Sequence, residues 1–395
     1  MTATSPDARP TIPPSRYGER LSRVRELTAA RGLDALLIGV GPDLRYLAGY
    51  EAMPLERLTM LVVPVVGPIT LVAPRLEATP ARTSPAVAGG LVEVATWEET
   101  DDAVALVGRL VAAAVGRPIG SLAHLAVSER LWAMHVLRIQ AGIPSARLET
   151  ASTVLRELRM RKDADEIALL RLAAEAADRV IGQIAAGRLI GRTEADVARE
   201  VRERLIAEGH ERAEFSIVGS GPNSASPHHE ASERRIRAGE PIVLDIGGVL
   251  DGYCSDITRT LWVTGGDPAH GPDREFRRLF TVLRGAQSEA THAVRPGVPC
   301  QRIDDVAREI IAAEGFGANF MHRVGHGIGL EGHEEPYLVA GNAEPLAPGM
   351  AFSVEPGIYL EGRYGARLED IVVCGEDGPI VLNRAPLELS IVDGR

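Results

Sequence analysis

Apolar residues recur at helical spacing at Leu21, Val24 and Leu27, and the unbroken run Ala35-Leu36-Leu37-Ile38 follows, closed by Gly39. The first pattern is one face of a helix and the second a buried strand. Two further apolar runs, 59–66 and 69–72, flank a Gly-Pro turn, and helix-like segments follow at 103–115 and 129–140. The alternation predicts a small α/β domain over residues 16–158, behind a Pro-rich disordered lead at 1–15.

A linking helix is expected at 149–161. Beyond it, Ile167, Leu170, Ala174, Ala177, Ile181 and Ile184 define a helix over 163–186, and another spans 194–208. The texture then changes to a strand hairpin, two helices at 274–293 and 301–314, and strands at 350–355 and 366–374. Hairpin-joined strands interleaved with helices predict an α+β domain with a mainly antiparallel sheet over 159–395.

Composition narrows the function. The 395 residues are 45% hydrophobic and 25% charged, an ordinary globular balance with material for two cores. The most apolar stretch, 60–74, is broken by Pro64 and Pro68 and is shorter than the ~20 residues of a membrane span. Residues 1–15 hold no apolar signal core, so a cytoplasmic protein without a membrane partner is expected. The net charge of −11 disfavours a nucleic-acid partner. Of 43 basic side chains only Lys162 is lysine, within the charged run Arg159-Met160-Arg161-Lys162-Asp163. That setting predicts a solvated ammonium and no Schiff-base chemistry, and the absence of any Gly-Lys pair removes a P-loop. Cys254, Cys300 and Cys374 are too few and too far apart for a disulfide framework or a thiolate zinc site.

The hairpin holds the first chemistry. Residues 242–248 and 253–263 flank Asp251-Gly252, a favoured two-residue type I′ turn. With that turn Gly247 faces Asp256, and Asp245 lies two positions further along the same face, so the two carboxylates are diagonal neighbours. Two like charges on a half-buried sheet call for a cation between them, a metal ion or an arginine. Cys254 shares the Asp256 face on this register, but no base is placed by sequence to activate it.

A second cluster runs from Met321 to Pro336, where His322, His326 and His333 fall among four glycines. Gly327 to Gly332 has the spacing of a dinucleotide fingerprint, but Pro336 follows where a helix would have to grow. The third cluster is Glu355, closing an apolar strand before Pro356-Gly357, together with Arg367 and Glu369, which on a continuous strand share a face where the guanidinium could hold the carboxylate. Two Asp, one His and two Glu make an oxygen-rich ligand set that suits manganese ahead of zinc or copper. Such a set can hold two ions about 3.5–4 Å apart for metal-assisted hydrolysis.

In order, Asp245, Asp256, His326, Glu355 and Glu369 stand in Leu-Asp-Ile-Gly-Gly, Ser-Asp-Ile-Thr-Arg-Thr, Gly-His-Gly-Ile-Gly, Val-Glu-Pro-Gly-Ile-Tyr and Arg-Leu-Glu-Asp. These motifs resemble the pita-bread metallopeptidases, in the branch of Xaa-Pro dipeptidases (prolidases) and aminopeptidases P. The resemblance covers the chain after residue 16. It implies a creatinase-like N-terminal α/β domain and a pita-bread catalytic domain with a curved, mainly antiparallel sheet. It further implies two divalent metal ions, manganese with cobalt or zinc as alternatives, and a homodimer. Asp256 and Glu369 would bridge the ions, Asp245 would chelate one, and His326 with Glu355 would complete the other. His333 would stabilise the tetrahedral intermediate, His228 would take part in catalysis and with His322 line the substrate pocket, Glu355 would handle a proton, and Arg367 would support the ligands or the substrate.

The activity so implied is hydrolysis of Xaa-Pro bonds by a metal-bridging hydroxide, on small peptides with proline second, with the dipeptidase favoured. An aminopeptidase P acting on longer peptides, another dinuclear amide hydrolase and a non-catalytic binding protein are the alternatives. One departure bears on the choice: several prolidases carry an arginine after the His-Glu-x-Pro segment, whereas residues 327–354 here contain no basic residue but His333, and Tyr337 follows Pro336. An arginine of the N-terminal domain, Arg45 or Arg57, or one from a second subunit would have to grip a dipeptide carboxylate instead.

Overall fold

The structure is a computed structural model and describes residues 9–395. The expected lead lies outside the described residues as far as residue 8. Its last two residues, Pro14 and Ser15, instead open the helix Pro14–Ala30, because a proline in the first turn forfeits no helical hydrogen bond and presets φ. The chain forms two compact units, Ile12–Arg159 and one containing Met160–Arg395 with residues 9–11.

The first unit is built on a six-stranded mixed sheet. Its order is Glu93–Trp97, Thr70–Pro74, Met60–Pro64, Ala35–Gly39, His124–Val127, Arg147–Thr150. Val104, Val107 and Val111 of helix Ala103–Val115 share one core with Leu37, Val62 and Leu125 of the sheet. The strand Arg147–Thr150 interrupts the expected linking helix, which starts only at Ser152.

Besides a separate two-stranded hairpin of Gly357–Leu360 with Tyr364–Arg367, the second unit holds two helix-backed sheets. In one, Ser390–Val392, Tyr253–Val263, Glu240–Leu250 and Arg212–Ser220 lie side by side, antiparallel except for the C-terminal strand. Helices Ala164–Ala185 and Glu194–Ala207 bury Ala177, Ile181, Val197 and Val201 against it. The other sheet is wholly antiparallel, in the order Glu334–Leu338, Gly325–Gly327, Ala351–Val354, Asp370–Cys374, Pro379–Val381. Helices Arg274–His292 and Cys300–Ala313 pack in its core with Phe352, Val354 and Val372. An isolated bridge between Thr258 and Glu369 links the two sheets.

Two expectations fail locally. The strand expected over 366–374 is broken into Tyr364–Arg367 and Asp370–Cys374, with Glu369 in the gap bridging to Thr258. Lys162 is buried rather than solvated, in an ion pair with Glu334. Charged neighbours in sequence said nothing about that partner, which lies 172 positions away. Among the described residues, no helix is long and apolar enough to cross a membrane.

Candidate metal centre

Strand register assembles the acidic cluster. Gly247 pairs with Asp256 and Asp245 with Thr258, the register expected from the Asp251-Gly252 turn, where both residues adopt positive φ. On the second sheet Val354 pairs with Asp370, which leaves Glu355 and Glu369 facing each other just beyond the same end of that strand pair. His326 sits on the neighbouring strand, its N–H bonded to Ser353 Oγ at 3.1 Å. The glycines around it have a steric cause: a side chain at Gly325 would strike the Ser353 carbonyl, and one at Gly327 the backbone of Glu334 and Glu335.

Asp256, His326 and Glu369 present one ligand atom each within 4.8 Å of one another, all three residues buried. His326 Nε2 lies 3.2 Å from Glu355 Oε1 and 3.8 Å from Asp256 Oδ2. Its Nδ1 faces the Gly327 carbonyl at 3.2 Å, which can only accept, so that nitrogen carries hydrogen and Nε2 is left for the acidic groups. Asp245 joins through Arg367, whose guanidinium bonds its Oδ2.

The electrostatics are those of a site designed around cations. Four carboxylates face one buried guanidinium, and burial together with the charge of Asp245 pushes Asp256 well above the ordinary carboxylate range. Glu369 is likewise raised, by burial and then by Asp256 and Glu355. Burial also raises Asp245, against the opposing pull of Arg367. Burial pushes Glu355 upward too, but its hydrogen bond with His326 and the His326 charge prevail and hold it at about 2. Asp245 Oδ1 and Glu369 Oε1 are buried without a hydrogen-bond partner. Buried carboxylate oxygens left orphaned in a shared pocket fit hard divalent ions, which supply the missing charge and coordination.

The expected pairing of Arg367 with Glu369 does not form. Because the strand breaks between them, Glu369 Oε2 accepts from Thr258 Oγ1 at 2.7 Å. Arg367 serves Asp245, Thr258 Oγ1 at 3.1 Å, the Pro227 carbonyl at 3.1 Å and Tyr359 Oη at 2.8 Å.

The other histidines surround this cluster. The His333 ring stacks on His326 at 3.7 Å, and its Nδ1 accepts from Arg323 Nη2 at 3.0 Å. Burial, then the charges of His326 and Arg323, lower His333 to about 4. His322 donates from Nδ1 to the Arg323 carbonyl at 2.8 Å, and its Nε2 accepts from Tyr359 Oη at 2.9 Å. Exposed His228 follows Pro227, the residue held by Arg367, and its charge is felt at both His322 and His333. Cys254 is buried and its thiol is pushed up by desolvation, which removes a thiolate nucleophile. Arg45 pairs with Glu51 and Arg57 with Glu99, within the N-terminal unit.

Sequence reasoning gave no role to Thr258, Arg323 or Tyr359. Thr258 and Tyr359 stood inside quoted motifs, two residues after Asp256 and four after Glu355, and only their placement shows what they touch. Arg323 was hidden because its partner is His333, ten positions on.

Two mainly antiparallel sheets backed by helices, with a carboxylate–histidine cluster where they meet, define a pita-bread metallopeptidase. Residues 168–376 match the model of metallopeptidase family M24, and residues 20–161 match the creatinase/prolidase N-terminal domain, so the chain belongs to family M24. It is 44% identical over 377 residues to the probable dipeptidase PepE of Mycobacterium tuberculosis, covering 95% of this chain and 96% of that protein. Among solved structures, dipeptidase PepE from Mycobacterium ulcerans superposes with a TM-score of 0.88 at 43% identity, over 96% of this chain and 99% of that one. A recombinant prolidase from Thermococcus sibiricus gives 0.85 at 33% identity, over 95% and 99%. The chain is thus an enzyme of a metallopeptidase family, with peptides as its substrate class and divalent metal as its cofactor class.

Proposed function

We propose that this metallopeptidase is an Xaa-Pro dipeptidase that uses two divalent ions, manganese in the resident enzyme, and works as a cytoplasmic homodimer. The observation that carries the reading is the buried cluster of Asp245, Asp256, His326, Glu355 and Glu369, with more negative charge than Arg367 can balance and two orphaned oxygens. Asp256 and Glu369 would hold both ions, Asp245 one, and His326 with Glu355 the other. When bound, such ions supply an activated water and polarise the scissile carbonyl.

The chain's own groups do the rest. His333, neutral and accepting at Nδ1, carries its hydrogen on Nε2 and can donate to the carbonyl oxygen as it gains charge. Glu355, held ionised, can take a proton from the attacking water and pass it to the leaving nitrogen. His228 and His322 would flank the peptide, and the relay from Arg367 through Tyr359 fixes the His322 ring. A proline nitrogen in peptide linkage has no N–H, so the pocket needs no acceptor there.

The absence of a lysine or arginine between Gly327 and Val354 favours a second reading, an aminopeptidase P that leaves the peptide's C-terminus ungripped. Hydrolysis of Ala-Pro and Ala-Pro-Ala after chelation and manganese restoration tests both. Manganese-dependent cleavage of the dipeptide alone supports the first reading, cleavage of the tripeptide supports the second, and silence on both removes the Xaa-Pro assignment.

A further inference from the structure

Lys162 is the chain's single lysine, and it is held from both ends. Its backbone N–H donates to the Gly349 carbonyl at 2.8 Å and Arg161 bridges to Met350, just ahead of the strand that delivers Glu355. Its side chain, 1% exposed, is ion-paired with Glu334, 8% exposed, the residue that follows His333. At that burial the pair is shielded from water and salt, unlike a surface ion pair.

The pair rests against bare backbone. A β-carbon at Gly329 would stand 2.9 Å from Lys162 Cε and 3.0 Å from Nζ. That backbone cannot retreat, since the Gly329 carbonyl accepts from Cys254 N–H at 2.8 Å and its N–H donates to the Glu331 carbonyl at 3.0 Å. A slim ammonium fits this space, and a broader planar guanidinium would crowd the Gly329 backbone, in a chain that otherwise uses arginine for every fixed positive charge. His333 is exposed and its ring is held by stacking on His326 and by Arg323, while Glu334 next to it is buried and pairs with Gly327 in the sheet, so Glu334 helps to set where the His333 backbone lies.

We infer that Lys162 is a positioning residue: by holding Glu334 it fixes the backbone from which His333 projects over His326. The inference rests on the role given to His333 above. It is tested by a double-mutant cycle on the full chain loaded with manganese, using whichever of Ala-Pro and Ala-Pro-Ala is cleaved. Lys162→Met alone would strand a buried carboxylate, so it is combined with Glu334→Gln. The paired variant should keep its manganese and lose about 10- to 100-fold in kcat. Its KM should stay within about twofold of wild type. In a His333→Ala background the same pair should cost nothing further.

An equal loss in both backgrounds, or wild-type kcat in the paired variant, overturns the inference. If His333→Ala itself leaves kcat unchanged, the role of His333 falls and the inference with it; if His333→Ala is impaired and the paired variant is not, only the role of Lys162 falls. Lys162→Arg keeps the charge and serves if the paired variant does not fold. It should lower kcat with manganese retained, and full activity there overturns the steric argument.

Discussion

The catalytic unit buries carboxylates in two contrasting ways. Glu194, with no exposed surface, accepts from Ser220 N–H and Oγ, Asn223 Nδ2, His229 Nε2, and Ser232 N–H and Oγ. Burial pushes it up, but the hydrogen bonds from Ser220, Ser232 and His229 outweigh that and hold it below the ordinary glutamate range. Asp256 and Glu369 are equally buried, pushed the other way, and Glu369 keeps an oxygen with no partner. The protein can satisfy a buried acid completely, and at the cluster it does not. What differs is chemistry: Glu194 ties Ser220 to Ser232 across the segment that carries His228, whereas the unmet oxygens of the cluster suit a divalent cation.

The most decisive way to break this contrast is Asp256→Asn. Turnover should disappear and bound metal should fall, measured by assay and by metal analysis after manganese loading. In metal-free protein the same change relieves repulsion from Asp245 and Glu355, so stability to denaturant should be unchanged or raised by about 1 kcal/mol. A clear destabilisation of the metal-free protein would mean that Asp256 is structural after all. Next in size is His333→Ala, which should keep its metal and lose about 10²- to 10³-fold in kcat, the cost of removing one donor to a developing oxyanion. Equal metal loss in both variants would contradict the separate roles.

Glu194→Gln sharpens the other side. It should cost about 2–3 kcal/mol of stability, because charged hydrogen bonds are lost in a buried hub. The folded carboxyl titrates below the unfolded one, so this contribution is present above the ordinary glutamate pKa of about 4.3 and vanishes as pH falls through the folded value. The stability gap between wild type and variant, followed by denaturant melts from pH 7 downward, should therefore close in acid. A gap independent of pH would show that the hub is held by shape and not by charge.

Much of the cluster was legible because β-structure is periodic. An Asp251-Gly252 turn fixes the register, and the register alone puts Asp245 and Asp256 on one face. Glu355 was legible from the Pro-Gly break after it. Glu369 was placed on a continuous strand with Arg367 because nothing in Arg367-Leu368-Glu369-Asp370 signals that the chain switches sheets there; the Thr258 bridge that causes the break is over a hundred residues distant. The solvated setting expected for Lys162 fails for the same reason, since its environment is set by Glu334 and Gly329 and not by its charged neighbours. Local pattern reveals faces and ends, and it is silent on partners brought in by tertiary packing.

At Thr258 the two treatments of a buried acid meet within one carboxylate, that of Glu369. Its Oγ1 donates to Glu369 Oε2 at 2.7 Å and accepts from Arg367 Nε at 3.1 Å, so it gives Glu369 a fixed orientation while Oε1 stays open. Thr258→Val keeps the β-branched shape that the strand packs and removes only the hydroxyl. If the protein presets the carboxylate before ions arrive, manganese affinity should fall by about 10-fold, the lower end of what losing a ligand's hydrogen-bond partner costs. Titration calorimetry on chelator-treated protein reads this directly. An unchanged affinity would mean that the ions orient Glu369 themselves, and the cluster would then be a pool of negative charge with little built-in geometry, the opposite extreme from Glu194.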